Sequence, residues 1–287
     1  MARRARPRRE AQRAAARRRL SVVRAVVEYD GTNFCGLQYQ PTVRSVAGEL
    51  ERCLSKLFSH DVKLTAAGRT DAGVHATGQV VTFSTEREFP FERLALALNA
   101  NLPNDITVRD VSLVDERFSA RFSAVERTYV YAILNRRMPS ALLGRYAYHV
   151  WHDLDLDRFA TGARALIGEH DFRSFCGMLP ESGPTLRNVN AIDVRRCGDL
   201  IRVRITADGF LHRMVRNIVG TLVDCARGRR DASAIPAMLE ARARAAAGHT
   251  APAHGLYLAG VLYRDGFDSF SEPALFGGGG DDGVGGR

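Results

Sequence analysis

The chain has 287 residues, 45% of them hydrophobic and 25% charged, which is enough for one large domain or two smaller ones with their own cores. No apolar run approaches the ~20 residues of a membrane helix, so no membrane segment is predicted. The five cysteines are odd in number and form no C-x-x-C pair, which argues against a disulfide framework or zinc ribbon and favours reduced thiols in a cytoplasmic protein.

The net charge of +9 is concentrated at the beginning of the chain. Residues 1–20 hold nine arginines and one glutamate, so the remaining residues are close to neutral. We expect residues 1–19 to form a disordered basic arm, which is consistent with an RNA tether, a transit peptide or a solvated tail without a specific role. The glycine-rich end, residues 267–287, is expected to be a flexible tail.

The first half of the chain predicts alternating strands and helices. Residues rich in β-branched side chains indicate strands, and apolar residues at helical spacing indicate helices. In chain order these elements are a strand at Leu20–Tyr29, a helix at Ser45–Phe58, strands at Asp61–Ala66 and Gly78–Ser84, a helix at Phe91–Asn99 and a strand at Ile106–Val114.

The second half predicts a looser version of the same order. Its elements are a strand at Arg127–Asn135, a helix at Leu156–Ile167, a loop at Phe172–Arg187 that leaves the core, strands at Asn188–Arg195 and Leu200–Ala207, helices at Leu211–Cys225 and Ala232–Ala245, and a strand at Leu256–Leu262. The repeated order predicts an α+β fold of two halves, residues 20–125 and 126–266, with antiparallel sheets.

The segment Gly68–Ala76 is a glycine-punctuated loop between two predicted strands. Arg69 and Asp71 are two residues apart, so they share a face if the segment is extended, and a nearby guanidinium favours an ionised carboxylate. Such an aspartate suits a nucleophile or a base. The same residues also suit a turn, and composition alone favours a turn aspartate over a catalytic one. His75 has no second His or Cys at metal spacing, so no metal site is proposed.

The sequence AAGRTDAGVHATGQVVTF around Asp71 resembles the signature of the TruA-type tRNA pseudouridine synthases. Five further stretches agree with that family: Val27–Gln38, Phe118–Ala124, Arg127–Tyr131, Asp208–Gly220 and Gly255–Leu258. The resemblance covers about residues 20–265. Leu37 departs from the family, which usually has tryptophan there, and Phe175–Thr185 is less typical, which affects substrate contacts rather than catalysis.

The resemblance implies two ferredoxin-like βαββαβ-type halves with an active-site cleft between them. It also implies isomerisation of uridine to pseudouridine at positions 38 to 40 of the tRNA anticodon arm. The family breaks the N1–C1′ bond, rotates the uracil and rejoins it through C5, a reaction that requires no cofactor. The partners implied are tRNA and a second copy of the chain in a homodimer.

Individual site residues follow from the same resemblance. Asp71 is expected to attack C1′ of the ribose or to take a proton from C2′, and the sequence leaves both routes open. Arg69 is expected to help displace the target base, with a phosphate contact as the alternative. Tyr129 is expected to lie against the uracil, or else to be an ordinary cross-strand aromatic. Arg216 is expected to pair with Asp71, and Leu256 to line the uracil pocket or to be plain core.

Two other functions are compatible with an aspartate in such a loop. The first is an RNA-binding module that keeps the fold without activity, but such a module need not retain all of Arg69, Asp71, Tyr129 and Arg216. A hydrolase with an aspartate nucleophile would need a phosphate loop, a magnesium-binding acidic cluster or a second carboxylate, and the sequence offers none of these.

Overall fold

A ten-stranded mixed sheet runs through residues 20–276, which are the part of the chain that the computed structural model describes. The predicted basic arm, residues 1–19, and residues 277–287 of the predicted tail lie outside it. The strands are β1 (Ser21–Tyr29), β2 (Leu64–Ala66), β3 (His75–Thr85), β4 (Ile106–Val114), β5 (Ala124–Leu134), β6 (Tyr148–His149), β7 (Gly168–Asp171), β8 (Leu186–Cys197), β9 (Leu200–Ala207) and β10 (Leu256–Tyr263). The α-helices are α1 (Val46–Phe58), α2 (Leu94–Asn99), α3 (Leu156–Arg164), α4 (Met214–Ala226) and α5 (Ile235–Glu240).

The strand order repeats in the two parts of the sheet. In the first part, β4, β1 and β3 are neighbours and β2 pairs with β3; in the second, the order is β10, β5, β9 and β8. All these pairs are antiparallel. A short parallel pairing of β3 with β10, at His75 with Tyr257 and Ala76 with Leu258, joins the two parts. The sequence predicts sheets for two halves, and in the structure these sheets join into one continuous sheet.

The two longest helices follow from simple sequence signals. Ser45 caps α1, because its hydroxyl accepts a hydrogen bond from the Gly48 amide at 3.2 Å. In α4, Ile218, Val219 and Leu222 are fully buried, as their helical spacing predicts. These helices and the sheet share one hydrophobic core, which spans both parts of the sheet.

The helix predicted at Ala232–Ala245 is wrong in its length. Only Ile235–Glu240 forms an α-helix, flanked by 3-10 turns at Ala232–Ala234 and Arg244–Ala246. Arg242 has a left-handed backbone with φ of 48°, and the Ala243 amide donates to the Ser174 hydroxyl at 2.9 Å. Alanine-rich composition favours a helix, but these tertiary contacts end it early.

Two segments that the sequence places away from the core pack into it. Phe172 and Phe175 form a 3-10 turn and are fully buried, so the predicted loop leaves the core only after them. Residues 267–276 of the predicted tail lie on the sheet, where Ser271 donates from its amide to the Ala259 carbonyl at 2.8 Å. All five cysteines are free. Within residues 20–276, no helix is long and apolar enough to cross a membrane.

Candidate active site

Asp71 lies in the connection between β2 and β3, in the segment that the sequence singles out. The chain turns at Ala72 and Gly73, where Gly73 has a left-handed φ of 76°, and the Asp71 carbonyl accepts from the Val74 amide at 3.2 Å. Glycine adopts this conformation without the strain that a side chain would cause. The turn interpretation is therefore correct for the backbone, and it leaves the Asp71 carboxylate free to face the cleft.

A second loop, residues 30–38, packs directly against this segment. The Leu37 amide donates to the Thr70 carbonyl at 3.1 Å, and the Leu37 side chain is buried. Gly36 has a φ of 89°, and a Cβ atom there would lie 2.7 Å from the Thr70 carbonyl oxygen. The close approach of the two loops therefore requires glycine at this position. It also explains the site of Leu37, which is a packing position at the edge of the cleft.

His75 holds the back of the same segment and does not face the cleft. Its Nδ1 accepts a hydrogen bond from the Gly31 amide at 3.0 Å, and its Nε2 is 3.0 Å from the Arg145 carbonyl. The ring is 2% exposed and stacks on Tyr257. Burial lowers the pKa of His75, even though Asp30 lies 3.1 Å from Nδ1. We assign a neutral imidazole with its proton on Nε2, because a backbone amide already occupies Nδ1.

Arg216 meets Asp71 from the other side of the cleft. Its Nη1 donates to Asp71 Oδ2 at 2.8 Å, and its Nε donates to the Ala251 carbonyl at 2.8 Å. The Arg216 side chain is 14% exposed and that of Asp71 is 26% exposed. Because the guanidinium is fixed at two points, it orients one oxygen of the carboxylate and leaves Oδ1 facing the cleft.

Two further basic residues near Asp71, one histidine and one arginine, were missed in the sequence. His212 Nε2 lies 3.7 Å from Asp71 Oδ1, and Arg213 Nε lies 3.7 Å from Oδ2. The His212 Nδ1 atom is buried and has no hydrogen-bond partner within residues 20–276. Both residues precede α4, which begins at Met214, and Arg213 has a left-handed φ of 58°, so no helical spacing in the sequence marks them as part of the site.

Tyr129 and Leu256 form the floor of the cleft. Tyr129 is 8% exposed, its ring meets Phe210 edge to face at 5.0 Å, and its hydroxyl makes no hydrogen bond with any described residue. Burial raises the pKa of the Tyr129 phenol, with smaller contributions from Tyr29 and Asp71. Leu256 is buried and lies opposite Tyr131 in the sheet. Both side chains face the space in front of Asp71.

Arg69 is placed differently from the other predicted site residues. It lines the cleft, but it is exposed, and it forms no hydrogen bond or ion pair with residues 20–276. Its guanidinium is therefore available to a ligand. The predicted set of Asp71, Arg216, Tyr129 and Leu256 is close together, and Arg69 stands at the rim.

The cleft between the two walls has a volume of about 1160 Å³ and an excess of cations. Its charged lining residues are Arg69, Arg121, Arg127, Arg187, Arg213 and Arg216 against Glu51, Asp71, Glu181 and Asp208. The exposed side chains of Met178 and Leu179 form part of one wall. Within residues 20–276, no group of three His, Cys, Asp or Glu side chains is arranged to hold a metal ion. The cleft has the size and charge for an anionic ligand that also offers an apolar face.

Comparisons with known proteins agree on one family. The model of a family described as tRNA pseudouridine synthase matches residues 25–123 and 163–264. Asp71, Arg69, Arg216 and Leu256 lie within the matched ranges, and Tyr129 lies between them.

Similar proteins are found over nearly their whole lengths. The chain is 43% identical over 237 residues to tRNA pseudouridine synthase A of Caldicellulosiruptor saccharolyticus, which covers 83% of this chain and 97% of that protein. It is 46% identical over 242 residues to tRNA pseudouridine synthase A of an Enterobacter species, covering 84% and 90%. A chain of a solved Cbf5-Nop10-Gar1 complex aligns with a TM-score of 0.32 and 14% identity, over 70% of this chain and 45% of that chain, which is too low to support an argument.

Proposed function

The chain belongs to the tRNA pseudouridine synthase family, and on this premise we propose that it isomerises uridine to pseudouridine in tRNA. The observation that carries the proposal is the pairing of Asp71 with Arg216 at 2.8 Å in a cleft with excess positive charge. We propose uridines at positions 38 to 40 of the anticodon arm as the targets, in accordance with the family resemblance.

Asp71 Oδ1 is the proposed reactive atom, because Arg216 already occupies Oδ2. In one route Oδ1 attacks C1′, the N1–C1′ bond breaks, and uracil leaves as an anion. In the other route Oδ1 removes the C2′ proton while the same bond breaks. In both, the uracil turns, C5 bonds to C1′, the C5 proton is released and N1 gains a proton, so atoms balance without a cofactor. In the first route the Asp71 ester is displaced in this step, and in the second C2′ regains a proton.

Tyr129 and Leu256 are proposed to hold the uracil while it is detached. The Tyr129 ring offers an aromatic face at the floor of the cleft, and stacking on a base is worth about 1–3 kcal/mol. Its hydroxyl is free of protein partners within the described residues, so it can contact the base. Leu256 would close the apolar side of the same pocket.

Arg69 is proposed to act on the RNA rather than on Asp71. An exposed guanidinium at the rim of the cleft can enter the position that the target base leaves when it is flipped out of its stack. Flipping costs a few kcal/mol, and a guanidinium that stacks on the neighbouring bases offsets part of this cost.

Three further proposals concern the two halves of the fold, the oligomeric state and the location of the protein. The repeated strand order supports two ferredoxin-like halves, residues 20–125 and 126–266, with the cleft between them. The exposed side chains of Met138 and Leu142 support contact with a second copy in a homodimer. Five free cysteines support a cytoplasmic location.

Tritium release from tRNA labelled at C5 of uridine tests the proposed function. Wild-type protein should release tritium without an added cofactor, and Asp71→Ala should release none above background. The mapped pseudouridines should lie at positions 38 to 40. If the wild-type protein, folded and able to bind tRNA, releases no tritium, the chain is an RNA-binding module and the proposal is wrong.

A further inference from the structure

Arg127 is a cleft arginine that the proposed mechanism does not use. It lies on β5 between Ala207 of β9 and Val261 of β10, two residues before Tyr129 and therefore on the same face of the strand. Burial lowers the pKa of its guanidinium, and no carboxylate within residues 20–276 forms an ion pair with it. An arginine in an RNA-binding cleft would ordinarily be interpreted as a phosphate contact.

The hydrogen bonds of Arg127 argue against a phosphate contact, because all five of its N–H donors already meet carbonyl oxygens. Nε and Nη2 donate to the Ala67 carbonyl at 3.4 and 3.3 Å. Nη1 donates to the carbonyls of Ala124 at 3.3 Å and Asp208 at 2.8 Å, and Nη2 donates to that of Arg121 at 2.6 Å. A guanidinium has five donors and no more, so none is left for the RNA.

The acceptors belong to the two walls of the cleft. Ala67 is four residues before Asp71, at the start of the catalytic segment, and Asp208 is four residues before His212, on the segment that leads into α4. Arg121 lies in the connection between β4 and β5, and Ala124 is the first residue of β5. The Arg127 side chain therefore links, through hydrogen bonds, the segment that carries Asp71 to the segment that leads to Arg216.

We propose that Arg127 is a positioning residue that sets the distance between Asp71 and Arg216, an inference that rests on the proposed function. It contacts neither the carboxylate nor the RNA, and it acts by fixing the backbone from which both walls of the site extend. A displacement of about 1 Å in a catalytic group can cost about 100-fold in rate, so a small shift of either wall would be measurable.

Arg127→Lys is the informative variant. Lysine keeps the positive charge but has three donors on a single nitrogen, so it cannot reach carbonyls on three separate segments. Arg24→Lys is the matched control: Arg24 is also an arginine of the sheet, and it is buried, but it pairs with Asp265 at 3.0 Å and stacks on Phe267, away from the cleft.

The test measures three quantities for wild type and both variants: the single-turnover rate of tritium release at saturating enzyme, the Kd for tRNA as a function of salt, and Tm. For Arg127→Lys we expect a rate lower by about 10- to 100-fold, with Kd and its salt dependence unchanged at temperatures well below Tm. For Arg24→Lys we expect a lower Tm and an unchanged rate.

Each other outcome overturns the inference. A salt dependence of log Kd that weakens by about one unit in Arg127→Gln, which removes the charge that Arg127→Lys retains, would make Arg127 a phosphate contact. A lower Tm with an unchanged rate would make its role structural only. If Arg127→Lys does not fold, Arg127→Gln is measured in the same way, and failure of both to fold also assigns a structural role. An inactive wild-type protein would instead refute the proposed function itself.

Discussion

The two parts of the sheet use the same strand order but differ in one connection. It is the connection that joins β2 to β3 in the first part and β8 to β9 in the second. In the first part, β2 and β3 are joined by residues 67–74, which carry Asp71. In the second, β8 and β9 are joined by Gly198 and Asp199 alone, with Gly198 at a φ of 60°. A two-residue turn leaves no room for a functional side chain that reaches a cleft, whereas a longer loop does.

The second part supplies its functional group from a helix instead. Arg216 lies near the start of the 13-residue helix α4, whereas the corresponding helix of the first part, α2, has six residues and supplies no cleft residue. The parallel contact of β3 with β10 brings the loop of one part beside the helix start of the other. The same strand arrangement therefore supplies a carboxylate from a loop in the first part and a guanidinium from a helix in the second part.

The largest effect is expected from removing the carboxylate of Asp71, which lies on the longer connection between β2 and β3. Asp71→Asn keeps the shape of the side chain but removes its charge and basicity, so tritium release should fall by about a thousandfold or more. Asp199→Asn in the two-residue turn is the matched control and should leave the rate unchanged, since among residues 20–276 the Asp199 carboxylate pairs only with the exposed Arg136. Equal losses in both variants would contradict the assignment of separate tasks.

Arg216→Lys tests the contribution of the helix in the second part. Lysine cannot donate to Asp71 and to the Ala251 carbonyl in the fixed geometry of a guanidinium, so the carboxylate loses its orientation. We expect a single-turnover rate lower by about 10- to 100-fold. An unchanged rate, measured beside wild type with equal Tm, would show that Asp71 is oriented by its own loop alone.

Tyr129 lies on the strand between these two connections, and its ring and hydroxyl can be tested separately. Tyr129→Leu removes base stacking worth about 1–3 kcal/mol and should raise KM for tRNA by about tenfold. Tyr129→Phe keeps the ring and should leave KM unchanged. A rate that falls in the phenylalanine variant would show that the free hydroxyl takes part in the chemical step.

The smallest effect is expected from His75, which supports the longer connection from behind. Burial lowers the pKa of His75, so the unfolded chain binds a proton more readily than the folded one. Stability is therefore complete above about pH 6.5 and is lost as the pH falls below that value. His75→Asn should reduce this pH dependence of the free energy of unfolding by at most about 1.4 kcal/mol per pH unit. Urea unfolding between pH 5 and 8 measures it, and an unchanged slope would contradict a neutral folded-state imidazole.

Much of the fold was predictable because it depends on local patterns. The helices predicted at Ser45–Phe58 and Leu211–Cys225 depend on neighbours within a few residues, and α1 and α4 confirm both predictions to within a few residues. The helix predicted through Ala245 failed because contacts with Ser174 and the left-handed Arg242 lie outside any local pattern. His212 and Arg213 were missed for a related reason, since only their distance to Asp71 marks them as part of the site.

The sequence by itself determined the order of strands and helices, the segment around Asp71 and the family to which these residues point. It did so because periodicity, turn chemistry and motif spacing are properties of neighbouring residues. The family resemblance predicts that Arg216 pairs with Asp71, but only the tertiary structure shows how two residues 145 positions apart meet, with the Arg216 guanidinium 2.8 Å from Asp71 Oδ2. It alone also decided that the donors of Arg127 are used within the protein, because sheet pairing and the direction of distant carbonyl groups leave no trace in local sequence.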